Sequence, residues 1–136
     1  VKVRDALHKA PVTVSPRASL AETATVMAEY NVGAVLVVEG DSLVGIVTDR
    51  DLVVRALASG QAAGEEVGSV MTLEPSTVQG GAEVDEALAV LAEGGFRRVP
   101  VLEDDQLAGM LTTDDVLAAA LALLGAAVAP VLGERD

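Results

Sequence analysis

From Ala34 to Val38 the chain reads AVLVV, and after the turn Glu39-Gly40-Asp41-Ser42 a second apolar run extends from Leu43 to Val47. An unbroken run of strand formers predicts a strand buried on both faces, and the glycine-bearing turn predicts that the two runs form a hairpin. Upstream the period changes. Leu20, Ala24, Met27 and Ala28 recur at helical spacing, so a helix is expected from Ser19 to near Asn31. It opens on the capping box Ser19-Leu20-Ala21-Glu22, in which the serine hydroxyl and the glutamate carboxylate satisfy amides that have no partner in the first turn. A short helix around Val3 to His8, an extended piece from Val12 to Val14 and a turn at Ser15-Pro16-Arg17 precede it, and the pattern from Asp49 to Ser59 is helical again.

The same order then recurs. Gly45, Thr48 and Asp51 match Gly109, Thr112 and Asp115, each pair 64 residues apart, and the offset holds without a gap from Val3/Val67 to Ala58/Ala122. Pro11/Pro75, Thr13/Thr77, Val14/Val78, Glu22/Glu86, Val35/Val99, Val37/Val101 and Leu43/Leu107 lie along it. A fixed offset over this length is an internal duplication. The second copy therefore predicts a helix at 67–71, a strand at 76–78, a helix at 82–93, strands at 99–102 and 107–111, and a helix at 113–124. Residues 1–60 and 65–124 are the two expected domains, joined through GQAAGE, with 125–136 as a C-terminal tail. Each unit reads helix, strand, helix, strand, strand, helix. A small sheet with helices on one face leaves its other face apolar and bare, so the expected fold is α+β with the two copies packed sheet to sheet.

Composition narrows what such a fold does. Of the 136 residues 51% are apolar, enough for a sizeable core, and a repeat near sixty residues buries too little alone, which again favours two copies sharing one core. Tyr30 and Phe96 are the only aromatics; each adjoins an apolar run and is read as a packing residue. The formal charge of -12 opposes a phosphate backbone and argues against nucleic acid as a partner. The absence of cysteine excludes disulfides, thiolate metal sites and cysteine nucleophiles, and fits a cytoplasmic setting. VKVRDALHKAPV at the N-terminus has no apolar segment of a secretory signal. Val116 to Leu132 is apolar but Ala-rich, contains Gly125 and Pro130 and falls short of a comfortable membrane span; a terminal helix packed on protein is expected there.

The repeated Gly-x-x-Thr-x-x-Asp falls where a strand ends and a helix begins. Threonine and aspartate three apart share one side of the helix N-terminus, where free amides and the helix dipole favour an anion. The hydroxyl suits a phosphate oxygen and the carboxylate suits the two hydroxyls of a ribose. The same pair also serves as a helix cap, with the glycine allowing close strand packing, and both readings stand on the residues alone. Asp104-Asp105 reads as a solvated turn, and Asp114-Asp115 lacks the convergent oxygens a cation needs, so no metal site is expected. His8, the one histidine, has no visible acid-base partner and no nucleophile motif accompanies it, so no catalysis is expected.

VKVRDAL and EVGSVM leading into Pro-x-Thr-Val, then NVGAVLVV and FRRVPVL, then GIVTDRDL and GMLTTDDV, together resemble a tandem pair of cystathionine-β-synthase (CBS) domains, a Bateman module. The resemblance implies a pseudo-two-fold unit whose clefts take adenosine-containing ligands, and a homodimer. It makes Asp51 and Asp115 the ribose-binding residues, with Thr48 and Thr112 near ribose or phosphate. Thr13, Val14, Thr77 and Val78 would line the adenine pockets, and Arg97 and Arg98, beside Pro100 in the same segment, would contact phosphate. The first copy departs from this, having Gly33 and Ala34 at the arginine positions, with Arg50 and Arg17 as the remaining basic candidates, so the clefts are expected to be unequal. The implied function is a regulatory, non-catalytic sensor of an adenine nucleotide or S-adenosylmethionine-like compound, signalling to a separate effector protein. A strongly acidic chain favours a mononucleotide or adenosyl compound over a polyphosphate. Two alternatives remain: a ligand-free structural or stress-associated dimer, and the regulatory fragment of a larger enzyme or transporter.

Overall fold

The computed structural model describes residues 1–7, 10–94 and 97–133, with side chains as far as Gly125. The expectations for His8 and Phe96 lie outside the described residues. The first copy comprises α1 (Val3–Ala6), β1 (Thr13–Val14), α2 (Leu20–Tyr30), β2 (Ala34–Glu39), β3 (Ser42–Thr48) and a π-helical segment, Asp51–Leu57. The second comprises a 3-10 turn (Val67–Ser69), β4 (Thr72–Leu73), β5 (Val78–Gln79), α3 (Val84–Gly94), β6 (Arg98–Glu103), β7 (Gln106–Thr112) and α4 (Thr113–Gly133).

The chain makes two sheets, ordered β1-β2-β3-β4 and β5-β6-β7. In each, the short first strand runs parallel to the second and the hairpin is antiparallel. The duplication extends to register: Ala34 pairs with Thr48 as Arg98 pairs with Thr112, and both hairpins slip at equivalent places, after Val37 and after Val101. Strand alternation then separates two buried layers. Val35, Val37 and Val47 face the first copy's helices, and Val99, Val101 and Leu111 face the second's. Leu36 and Pro100, equally buried, belong to neither helix-side cluster and point to the opposite face, where β3 and β7 meet.

The leading segments cross over. Val3 and Ala6 of α1 sit in the core of the second copy with Leu91 and Leu111, whereas Val67 and Val70 of the 3-10 turn sit in the core of the first with Leu20 and Met27. Backbone bonds fix both crossings alike. The Val3 and Arg4 amides donate to the carbonyls of Ala82 and Gly80, and the Val67 and Gly68 amides donate to those of Ala18 and Pro16. A continuous unit in each half was the sequence expectation; instead each core takes its lid from the other half.

Several boundaries differ from expectation for local reasons. Ser19 Oγ accepts from the Glu22 amide at 2.9 Å, but among the described bonds none returns from the Ser19 amide to the Glu22 carboxylate, so only half of the box is made. Asn31 ends α2 in the left-handed region at φ 52°, and the buried Thr23 hydroxyl donates to the Ser19 carbonyl at 2.9 Å. The strand expected at 76–78 begins at Val78, and β4 was not foreseen, since only its pairing with Gly45 and Ile46 makes it a strand. The first copy's last helix carries bonds five apart, as from the Ala58 amide to the Val53 carbonyl at 3.0 Å. α4 runs past Leu124 to Gly133. Val116 and Ala119 pack on the second copy's core as expected of a helix packed on protein, whereas Leu117, Leu121, Leu123 and Leu124 on its other side are exposed. Tyr30 is 63% exposed, and the packing role expected of it is not realised.

Candidate functional site

Both Thr-x-x-Asp pairs adopt one geometry at the mouth of a hairpin. The Thr48 amide donates to Asp51 Oδ2 at 2.9 Å while the Asp51 amide donates to Thr48 Oγ1 at 3.1 Å. Thr112 and Asp115 repeat the two bonds at the same lengths. This is a reciprocal capping box with aspartate as its acid, and all four residues are half-buried. The box uses one carboxylate oxygen and one hydroxyl lone pair. Each aspartate keeps Oδ1, and each threonine keeps its hydroxyl proton, for a further partner.

The glycine of each motif has a separate job. A Cβ on Gly45 would stand 2.7 Å from Met71 Sδ and 2.9 Å from the Thr72 carbonyl oxygen, and one on Gly109 would stand 3.0 Å from Leu7 Cδ1. Leu7 and Met71 are themselves 64 apart and follow the two exchanged leading segments. Each glycine therefore clears the path of the crossing chain, the close-packing role that the sequence allowed.

Around the second pair the strand edge is basic. Arg98 is the cross-strand partner of Thr112, and the Arg97 carbonyl accepts from the Thr113 amide at 2.9 Å, which ties both arginines to the start of α4. Arg97 is exposed and Arg98 half-buried. Pro100 lies two residues further along β6, fully buried opposite Met110, so its ring belongs to the layer between the sheets. At the first pair the same edge holds Gly33 and Ala34. Asp49, whose amide donates to the Gly33 carbonyl at 2.9 Å, places its carboxylate 3.2 Å from where a Gly33 side chain would begin. Arg17 is engaged elsewhere, 3.3 Å from Glu39.

Thr13 and Val14 lie on β1, Val78 lies on β5 with Thr77 just before it, and each of these short strands is two strands from its own Thr/Asp pair. Val14 and Val78 are buried in their cores, Thr77 is half-buried and Thr13 exposed. Thr77 and Val78 line a shallow depression with Gln79, Ala82, Glu86 and Val90. The fold thus gathers Thr112, Asp115, Arg97 and Arg98 at one end of the sheet and sets Thr77 and Val78 apart from them. Two neighbours of the first pair were missed from sequence. Arg55 Nη1 stands 3.9 Å from Asp51 Oδ1, an i,i+4 pair that its spacing would have revealed; Asp49 at the Gly33 edge depends on the hairpin register. Among the described residues no cluster suited to a metal ion occurs, and no helix is long and apolar enough to cross a membrane.

Comparison with known proteins agrees with this architecture. The family model described as CBS domain matches residues 3–57 and again 67–122. The chain is 42% identical over 97 residues to the uncharacterized protein YlbB of Bacillus subtilis, covering 70% of this chain and 66% of that one. Among solved structures, CBSX2 in complex with AMP superposes with a TM-score of 0.77 at 32% identity, covering 90% of this chain and 97% of the other. The domain pair of MJ0100, in complex with 5′-methylthioadenosine and S-adenosyl-L-methionine, gives a TM-score of 0.78 at 26% identity, with 88% and 98% covered.

Proposed function

The chain belongs to the CBS-domain family, with two such domains in tandem, and from that premise we propose that it is a regulatory module binding an adenine nucleotide or related adenosyl compound. The observation that carries the reading is the arrangement of the Thr/Asp pairs. In both copies the aspartate is capped through Oδ2, and Oδ1, which in the first copy has Arg55 Nη1 3.9 Å away, is the oxygen that would accept from a ribose hydroxyl. Similar chains bound to AMP, and to methylthioadenosine with S-adenosylmethionine, support adenosyl chemistry.

On this reading Asp51 and Asp115 bind ribose, Thr48 and Thr112 lie beside it, Thr13, Val14, Thr77 and Val78 border the base, and Arg97 and Arg98 serve the phosphate. Ligand reaching both copies would bias their relative position, and output would pass to a separate protein. The role is regulatory, with no chemistry assigned to the site. Isothermal titration with AMP, ATP and S-adenosylmethionine tests it: saturable binding of at least one is expected, lost in Asp115→Ala, and silence from all three would overturn it.

One observation favours a second reading, a structural module without ligand. The reciprocal bonds already engage both threonines and both aspartates as helix caps, a role that needs no ligand. In that case Asp51→Ala lowers stability by a cap's worth, about 0.5 to 2 kcal/mol, and no titrant responds.

A further inference from the structure

The two crossed lids are alike in backbone and in their deepest residue. The Arg4 amide binds the Gly80 carbonyl at 2.9 Å, the Gly68 amide binds that of Pro16 at 3.0 Å, and Val3 and Val67 hold equivalent positions. These shared features cannot select one half over the other. The side chains around them differ. The second core has Arg4 on its lid, Gly80-Gly81 in the turn after β5 and Glu103 at the end of β6; the first has Gly68, Pro16-Arg17 and Glu39 at the equivalent positions. Bulk on the lid is traded for bulk on the turn. Arg4 binds Glu103 Oε1 at 2.7 Å and passes so near Gly81 that a Cβ there would stand 3.2 Å from Arg4 Nη2. Glu103 lies over Gly80, where a Cβ would meet its Cγ at 2.6 Å. At the first core the arginine comes from the turn instead, with Arg17 3.3 Å from Glu39. A Cβ on Gly68 would stand 3.0 Å from the Pro16 carbonyl oxygen and 3.4 Å from Pro16 Cβ. The apolar layer shows the same trade, with Ala6 sharing the second core with Leu111 and Val70 sharing the first with Val47.

We infer that each lid is keyed to the opposite half. The groove beside Gly80 and Gly81 takes a leading segment that carries an arginine, and the groove beside Pro16 and Arg17 takes one with no side chain at that position. Seated on its own half, the first lid would drive Arg4 against Pro16, where even a Cβ is crowded, and set it to compete with Arg17 for Glu39. The second lid on its own half would leave Glu103 without its arginine and put Val70 in the core that Leu111 fills. Both ion pairs are largely exposed, so their attraction contributes little, and the mismatched volumes carry most of the selection. Selection of this kind works by excluding the wrong partner as much as by holding the right one. The partner that each groove fits is therefore the leading segment of an unlike half, and two like halves do not complete one another.

The test exchanges the keys in the full chain. The lid exchange Arg4→Gly/Gly68→Arg and the turn exchange Pro16→Gly/Arg17→Gly/Gly81→Arg each mismatch lid and groove, and the two together match them again in reverse. Urea denaturation should show the unfolding equilibrium constant raised about tenfold to a hundredfold by the lid exchange, as overfilling a packed site would do. The combined effect should fall short of the product of the two separate effects by more than about twofold, the margin within which independent sites combine; a product met within that margin overturns the keying. If the lid exchange leaves no folded chain, Arg4→Ala decides. It should weaken the wild type and strengthen Gly81→Arg, in which two arginines contend for Glu103. A loss of stability in both backgrounds overturns the keying.

Discussion

Gly45 and Gly109 hold the same place in the repeat but face different neighbours. An added methyl at Gly45 meets the Thr72 backbone carbonyl at 2.9 Å as well as Met71, whereas at Gly109 it meets only the tip of the Leu7 side chain, at 3.0 Å. A backbone in a sheet yields less than a side-chain end. Gly45→Ala is therefore expected to destabilise the protein by about 1 to 3 kcal/mol and Gly109→Ala by less, as urea denaturation of the two variants would show; equal losses would deny the distinction. The Thr and Asp of the same motif were legible in sequence both as cap and as ligand group, because one spacing serves both. That each cap engages only Oδ2 of its aspartate could be read only from the bond geometry.

At the scale of elements, local pattern and long-range pairing contributed unequally. The hairpins were legible because Ala34 to Val38 and Leu43 to Val47 are continuous runs whose partners lie a turn away. α2 was legible from Ser19 and its helical period. By contrast β4, two exposed residues, exists through its pairing with β3, and no local signal marks it. The π-helical form of Asp51–Leu57 likewise leaves no trace in apolar spacing. The leading segments show the largest gap: their helical character is local, while the core they cover lies in the other half of the chain. Val3 and Val67, both fully buried, make that testable. Each substitution to alanine should cost about 1 to 3 kcal/mol. Amide exchange should report Val3→Ala chiefly as faster opening of β6 and β7, and Val67→Ala as faster opening of β2 and β3; local effects confined to each residue's own half would contradict the exchange.

For the whole molecule, sheet-to-sheet packing accounts for Leu36 and Pro100 but leaves one surface unexplained. Val53 and Leu57 in the first copy and Leu117 and Leu121 in the second are equivalent positions on the closing helices, and all four are more than half exposed, at 58, 65, 58 and 58%. Two apolar patches related by the internal repeat suit a second chain that presents the same pair, so a homodimer joined through these helices is expected. Leu117→Glu/Leu121→Glu should shift sedimentation toward monomer while leaving the far-ultraviolet circular dichroism unchanged. A wild-type monomer at all concentrations would remove the proposal.

The crossed leading segments also bear on how such a chain came to exist. One copy standing alone, before duplication, had a core open on the side that Val3 or Val67 now closes. The nearest source of a fitting plug was a second identical polypeptide, which had the same opening and offered its own first residues in return. The ancestor implied is an intertwined pair of separate subunits. Joining them through GQAAGE makes that mutual exchange intramolecular and so independent of protein concentration, and it frees the two halves to differ in sequence, as they do at Gly33/Arg97, Ala34/Arg98 and Asp49/Thr113.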